Sequence, residues 1–233
     1  MSEAFWASGP GEILRHGVSL LKDDTDTNRR LAMISIDNSV ELMMQTYIQL
    51  PKRISGVDLS RKERTQYCEN FSSLLDGIEN AAGVQTEGMN LGEIEWFHRL
   101  RNELYHQGNG LTVERLKVEA YAEIAKRLFV ALFGSEADLR IEETKNMDLL
   151  GRFLSDWVGL EDAMRKRNKD SYATPLLGFH HLKDQNAITE QEFHRLSELR
   201  KIRNVVVHGQ ASPESKISEE ILIEIKRLTD KIK

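Results

Sequence analysis

Two runs in this chain, Arg101-Asn102-Glu103-Leu104-Tyr105-His106 and Arg203-Asn204-Val205-Val206-Val207-His208, share the pattern Arg-Asn-x-x-x-His, and each leads into a glycine-containing loop. At this composition such a run arises by chance on the order of a few hundredths of a time. Two copies therefore mark a duplicated plan. Whatever fold the chain adopts has to place the same pattern twice, once in each half.

The spacing of apolar residues says what kind of fold that is. Leu31, Ile34, Asn38, Leu42, Gln45 and Gln49 trace one stripe of a long helix from about Thr27 to Leu50, with Ile36, Val40, Met43, Met44, Tyr47 and Ile48 adding apolar area beside it. A helix over Gly11 to Lys22 precedes it, and one over Ser60 to Ala82 follows. Leu91 to His106 carries the first motif and stops at the breaker Gln107-Gly108-Asn109-Gly110. Thr112 is the expected cap of the next helix, whose core stripe is Val118, Tyr121, Ala122, Ala125, Leu128, Phe129, Leu132 and Phe133.

The second half repeats the plan with helices over Asn146 to Arg167, Pro175 to Lys183, Thr189 to His208 and Glu214 to Lys231. Ile217, Ile221, Ile225, Leu228 and Ile232 line the last of these. Both motifs end a helix that precedes a glycine loop and an amphipathic helix. Four prolines and 7% aromatic residues also favour helix over sheet. The expected fold is all-α, with one bundle over residues 1–134 and a smaller one over 135–233.

A lone cysteine, Cys68, cannot form an internal disulfide, and no Cys/His cluster has zinc-ligand spacing. A reducing, cytoplasmic setting is expected. Residues Met1 to Gly11 lack a basic segment leading into an apolar stretch. The longest apolar run, Leu128 to Phe133, is far below the roughly 20 residues that span a bilayer, so neither export nor membrane insertion is expected.

Net charge is −5, so a nucleic-acid ligand requires a local basic patch. Arg165-Lys166-Arg167-Asn168-Lys169, the segment Arg195 to Arg203, and Arg99 with Arg101 are the candidates. Taken alone, each reads as a solvated helix face. His16, His98, His180, His181 and His194 read as satisfied or exposed residues, and Trp6, Trp96 and Trp157 as core anchors.

On a helix, Asn102 and His106 share a face, as do Asn204 and His208, whereas Arg and His five residues apart point about 140° apart. The last turn has to fray or tighten for all three to converge. Two imidazoles and two guanidiniums without a metal set suit one reaction class. One imidazole takes a proton from a ribose 2′-hydroxyl, the other gives one to the departing 5′ oxygen, and the guanidiniums offset charge on the phosphate. The competing explanation, Arg and Asn bracing a helix C-terminus while His packs on the loop, accounts for one run but not for its recurrence. Asp37, Asn38 and Glu41, with Glu161 and Asp162 in the second half, lie where a carboxylate or amide could meet a motif Arg. Asn38 stands out among them because it falls on the predicted buried stripe.

This pattern resembles the HEPN superfamily (higher eukaryotes and prokaryotes nucleotide-binding), all-α bundles whose signature is Arg, four to six residues, then His. The resemblance implies tandem HEPN-like bundles packed as an intramolecular pseudo-dimer, with pairing across a homodimer as the alternative. It implies a composite ribonuclease site of Arg101, Asn102, His106, Arg203, Asn204 and His208, needing no metal or other cofactor. It also implies RNA as substrate, and a toxin or antiphage role with an antitoxin or regulatory protein as partner. Many toxin members carry a Tyr two residues after the His, where this chain has Gly108 and Gln210. Some members bind nucleotides, RNA or proteins without turnover, and that is the second expectation.

Overall fold

A computed structural model describes residues 5–83, 85–106, 111–134, 139, 141–142, 144–167 and 175–233, with Phe5 and His106 as backbone only. Among these residues every regular element is a helix and there is no strand. The chain divides into two compact units, Met1–Glu142 and Glu143–Lys233, where the sequence pattern places a boundary at 134/135. Each unit is described by itself below.

The N-terminal unit is built around one long helix. In chain order it holds α1 (Phe5–Ser19), a 3-10 turn (Leu20–Lys22), α2 (Asp26–Gln49), α3 (Lys52–Ser55), α4 (Arg61–Tyr67), α5 (Phe71–Ala82), α6 (Leu91–His106) and α7 (Arg115–Phe133). Helix α2 packs against α1, α5, α6 and α7. It starts where the Thr25 hydroxyl accepts the Asn28 N–H at 3.1 Å and stops at Leu50, which turns to extended backbone before Pro51.

Its buried row differs from the predicted one. Met33, Ile36, Asp37, Val40, Met43, Met44 and Tyr47 face the core, whereas Leu31 is 47% exposed and Asn38 is exposed as well. Met33, Ile36, Val40, Met43 and Met44 are all at 0% exposure, and a fully buried side chain of this size contributes about 1.5–3 kcal/mol. That area decides which side of α2 turns inward. The row that wins carries a carboxylate, Asp37, on its buried side.

Local chemistry explains the other departures. Helix α1 begins before Pro10, not after it, because Gly9 has no Cβ to clash with the proline ring. The segment read as one helix over 60–82 is two, because Asn70 caps α5 by accepting the Ser73 N–H at 2.9 Å. Ser60 and Glu63 form a capping box at the start of α4. Helix α7 begins after Glu114 rather than at a Thr112 cap, and the predicted breaker after α6 lies outside the described residues.

The C-terminal unit holds α8 (Lys145–Arg167), α9 (Pro175–Asp184), α10 (Glu190–Val207), α11 (Pro213–Lys216) and α12 (Glu219–Ile232). Helix α8 packs against α9, α10, α11 and α12, with Trp157, Phe153 and Leu150 buried in its core face. On α12, Ile225, Leu228 and Ile232 of the expected stripe are buried, while Leu222 is buried in place of the half-buried Ile221. The predicted last helix is divided because Ile217 is extended and α12 starts only after Ser218.

Close approach of α5 to the end of α4 depends on Gly77. A Cβ built there would lie 2.8 Å from Tyr67 Cγ, 2.9 Å from Tyr67 Cβ and 2.8 Å from Ile48 Cδ1. Alanine in a helix gains about 1 kcal/mol over glycine. Overpacking against the base of the Tyr67 side chain costs about 1–3 kcal/mol. Gly77→Ala should therefore lower stability by about 1 kcal/mol in urea unfolding, and an unchanged or raised midpoint would contradict the packing described.

Candidate functional site

The first motif is organised by a buried carboxylate. Asp37 on α2 is at 0% exposure and accepts from three side chains. Arg101 Nε donates to its Oδ2 at 2.6 Å, and Tyr121 Oη on α7 donates to Oδ1 at 2.7 Å. His98 Nδ1 on α6 lies 3.0 Å from Oδ2 and 3.3 Å from Oδ1. An ionised carboxylate only accepts, so Nδ1 carries the proton in this arrangement. The Phe71 ring of α5 stacks on His98 at 3.5 Å.

Arg101 spends its remaining donors nearby. One terminal nitrogen donates to Asn102 Oδ1 at 2.9 Å; the other donates to Asn38 Oδ1 at 3.4 Å and lies 3.5 Å from Glu41 Oε2. Asn38 and Glu41 thus join the motif from α2, Asn38 from an exposed position rather than the buried stripe expected of it. Burial, followed by the Asp37 charge and hydrogen bond, pushes the Tyr121 phenol well above its ordinary value, so it remains a donor at any physiological pH.

The second motif has different surroundings. Arg203 is 9% exposed, and burial pushes its guanidinium down to about 10, which still leaves it protonated at neutral pH. His208 caps α10, donating its backbone N–H to Asn204 O at 3.1 Å. Gly209, at φ 62, lets Gln210 N–H reach Val205 O at 2.9 Å and Gly209 N–H reach Val206 O at 3.1 Å, a Schellman closure. Within the motif the helical bond spacing is kept to His208, and the closure comes after it. The His208 imidazole is pushed below its ordinary value first by burial and then by the Arg203 charge.

Of the six predicted residues, the structure brings Arg101 to Asn102 and Arg203 to His208. Asn204 is half-buried beside the cap, and the His106 side chain lies outside the described residues. Glu161 and Asp162 are taken up within α8: Glu161 accepts from Trp157 Nε1 at 2.7 Å, and Asp162 pairs with Arg165. Members of the basic runs are also paired, Arg195 with Glu224 at 2.8 Å and Glu198 at 3.0 Å, and Arg99 with Glu95. Asn168 and Lys169 lie outside the described residues.

Sequence reasoning missed His98 and the polar role of Tyr121. The signal for His98 was its place three residues before Arg101, on the same face of α6. Asp37, Glu41 and His98 also bring three ligand-type atoms within 4.8 Å of one another. Arg101, however, contacts both carboxylates, so a cation there would have to displace a guanidinium already carrying the compensating charge. EDTA should accordingly leave the thermal midpoint unchanged.

No protein-family model matches this chain, and neither a curated protein nor a solved structure matches it.

Removing the Asp37 carboxylate leaves Arg101 and two further donors without their acceptor. Breaking a buried pair in this way costs about 3–5 kcal/mol, so Asp37→Ala should lower stability by about that amount in urea unfolding. Tyr121→Phe removes one hydrogen bond and should cost about 1 kcal/mol. A loss below about 1 kcal/mol for Asp37→Ala would show that the carboxylate does not organise these helices.

Proposed function

We propose that this chain is a HEPN-type endoribonuclease that cuts RNA by internal transesterification, with His106 and His208 as the proton-transfer groups and Arg101 and Arg203 supplying positive charge. The 2′ oxygen attacks phosphorus, the bond to the 5′ oxygen breaks, and a 2′,3′-cyclic phosphate is left. His208 takes the 2′ proton and His106 returns one to the leaving oxygen. A toxin or antiphage role, with a neutralising protein partner, belongs to the same proposal.

The observation that carries it is the recurrence of the Arg-Asn-x-x-x-His run at the ends of α6 and α10, with Arg203 buried and His208 half-buried in the second copy. A general base has to be unprotonated at working pH, and burial beside a guanidinium favours the neutral imidazole. The same charge favours a developing phosphorane nearby. A second reading, a binding module without turnover, is favoured by Arg101. Its guanidinium is engaged by Asp37, Asn38, Glu41 and Asn102, which suits a brace at the end of α6 as well as a phosphate contact.

Purified protein incubated with single-stranded and structured RNA in EDTA distinguishes the two. The enzyme yields fragments ending in 2′,3′-cyclic phosphate, leaves DNA intact, and loses at least about 100-fold in rate with His208→Ala, the scale of general base catalysis. Full activity in His208→Ala would remove its role, and binding without cutting would support the second reading. Because His208 titrates below its ordinary value of about 6.5, the acid limb of kcat/KM should fall below that pH. The unfolded chain binds the extra proton more readily, so the same shift makes stability decline as pH falls through 6.5.

A further inference from the structure

Two polar side chains on α6 have one end fixed by the fold and the other end unspent. His98 gives its Nδ1 proton to the buried Asp37 carboxylate, 3.0 Å from Oδ2, and the Phe71 ring covers one face of the imidazole. In the neutral ring Nε2 is then an acceptor and nothing else. Asn102 receives the Arg101 guanidinium on Oδ1 at 2.9 Å, which turns its amide nitrogen, a donor only, the other way.

Neither Nε2 of His98 nor Nδ2 of Asn102 makes a hydrogen bond among the described residues, and both atoms reach solvent. Bracing α6 against α2 uses only the inward ends of these side chains, so it leaves the outer pair unexplained. The two residues are four apart on one helix, which makes them neighbours about 5–6 Å apart at Cβ. An acceptor and a donor therefore stand side by side, each with its polarity set from behind. Arg101 puts positive charge against the amide through one terminal nitrogen, while Glu41 stands at the other.

We propose that His98 and Asn102 together read one ribonucleotide, Nε2 of His98 accepting the 2′-hydroxyl and the Asn102 amide donating to the adjoining 3′-phosphate. This rests on RNA being the ligand and adds His98 to the residues that select it. A ribose carries its hydroxyl donor on the carbon next to the one that bears the phosphate, so the ligand offers a donor and an acceptor in complementary order. Deoxyribose has no donor there and leaves Nε2 without a partner. The contact selects the sugar rather than the base, and it involves no proton transfer.

Two oligouridines, one with 2′-amino and one with 2′-fluoro groups, test this above neutral pH, where the amino group is uncharged. Neither has the 2′ oxygen that cleavage needs, and only the first offers a 2′ donor. Wild-type protein should bind the 2′-amino oligomer about fivefold more tightly or better, the scale of one hydrogen bond. His98→Asn should erase that preference and keep its thermal midpoint, because an asparagine amide can still donate to Asp37 from near the Nδ1 position but does not extend to that of Nε2. Asn102→Ala should weaken both oligomers alike. In wild-type protein the nitrogen NMR signal of His98 Nε2 should move with the 2′-amino oligomer and not with the 2′-fluoro one, a reading that needs no variant. A preference kept in His98→Asn, or a His98 signal indifferent to the 2′-amino oligomer, overturns the assignment. Absence of any preference in wild-type protein that binds or cuts RNA does the same and leaves the RNA reading standing. Wild-type protein that neither binds nor cuts RNA overturns both.

Discussion

A carboxylate with no access to water is the constraint on which the N-terminal unit depends. Asp37 is placed inside because the apolar residues on either side of it on α2 are, and an ion in that position costs several kcal/mol unless its lone pairs are filled. The filling groups come from two other helices, Arg101 and His98 from α6 and Tyr121 from α7. Their directions fix how far α6 and α7 can slide or rotate against α2. Hydrophobic area alone would tolerate several registers; a three-donor carboxylate tolerates one.

That arrangement gives the first motif two duties. Its arginine braces the bundle, and on the ribonuclease reading it also contributes charge at the end of α6. The first duty limits the second, because each contact to Asp37, Asn38, Glu41 or Asn102 commits part of the guanidinium. What Arg101 retains is a fixed position at the end of α6. A stiff frame around Arg101 suits positioning better than proton transfer.

Helices and their core faces were mostly legible in the sequence, because long apolar stripes such as Val118 to Leu132 and Ile225 to Ile232 leave little choice of periodicity. The errors came where two apolar stripes ran side by side on α2 and where a polar side chain competed with the backbone, as Asn70 does between α4 and α5. At the candidate site, the motif spacing pointed to Arg101, Arg203 and His208, and the carboxylate of Asp37 was among the residues expected to meet an Arg. His98 was passed over as ordinary. A pairing between residues 61 apart in sequence leaves no periodic trace, and neither does the burial of Arg203.

Identical letters in the two motifs do not make identical chemistry. Protonation is set by what surrounds a group, and the two arginines have different surroundings, Arg101 beside a carboxylate and Arg203 shifted by burial. On the ribonuclease reading, such a difference raises the share of pairs in which one imidazole is neutral and the other charged. Burial lowers the proton affinity of His208, which on that reading suits it to accept one. The two copies of the motif thus keep the same letters in different surroundings.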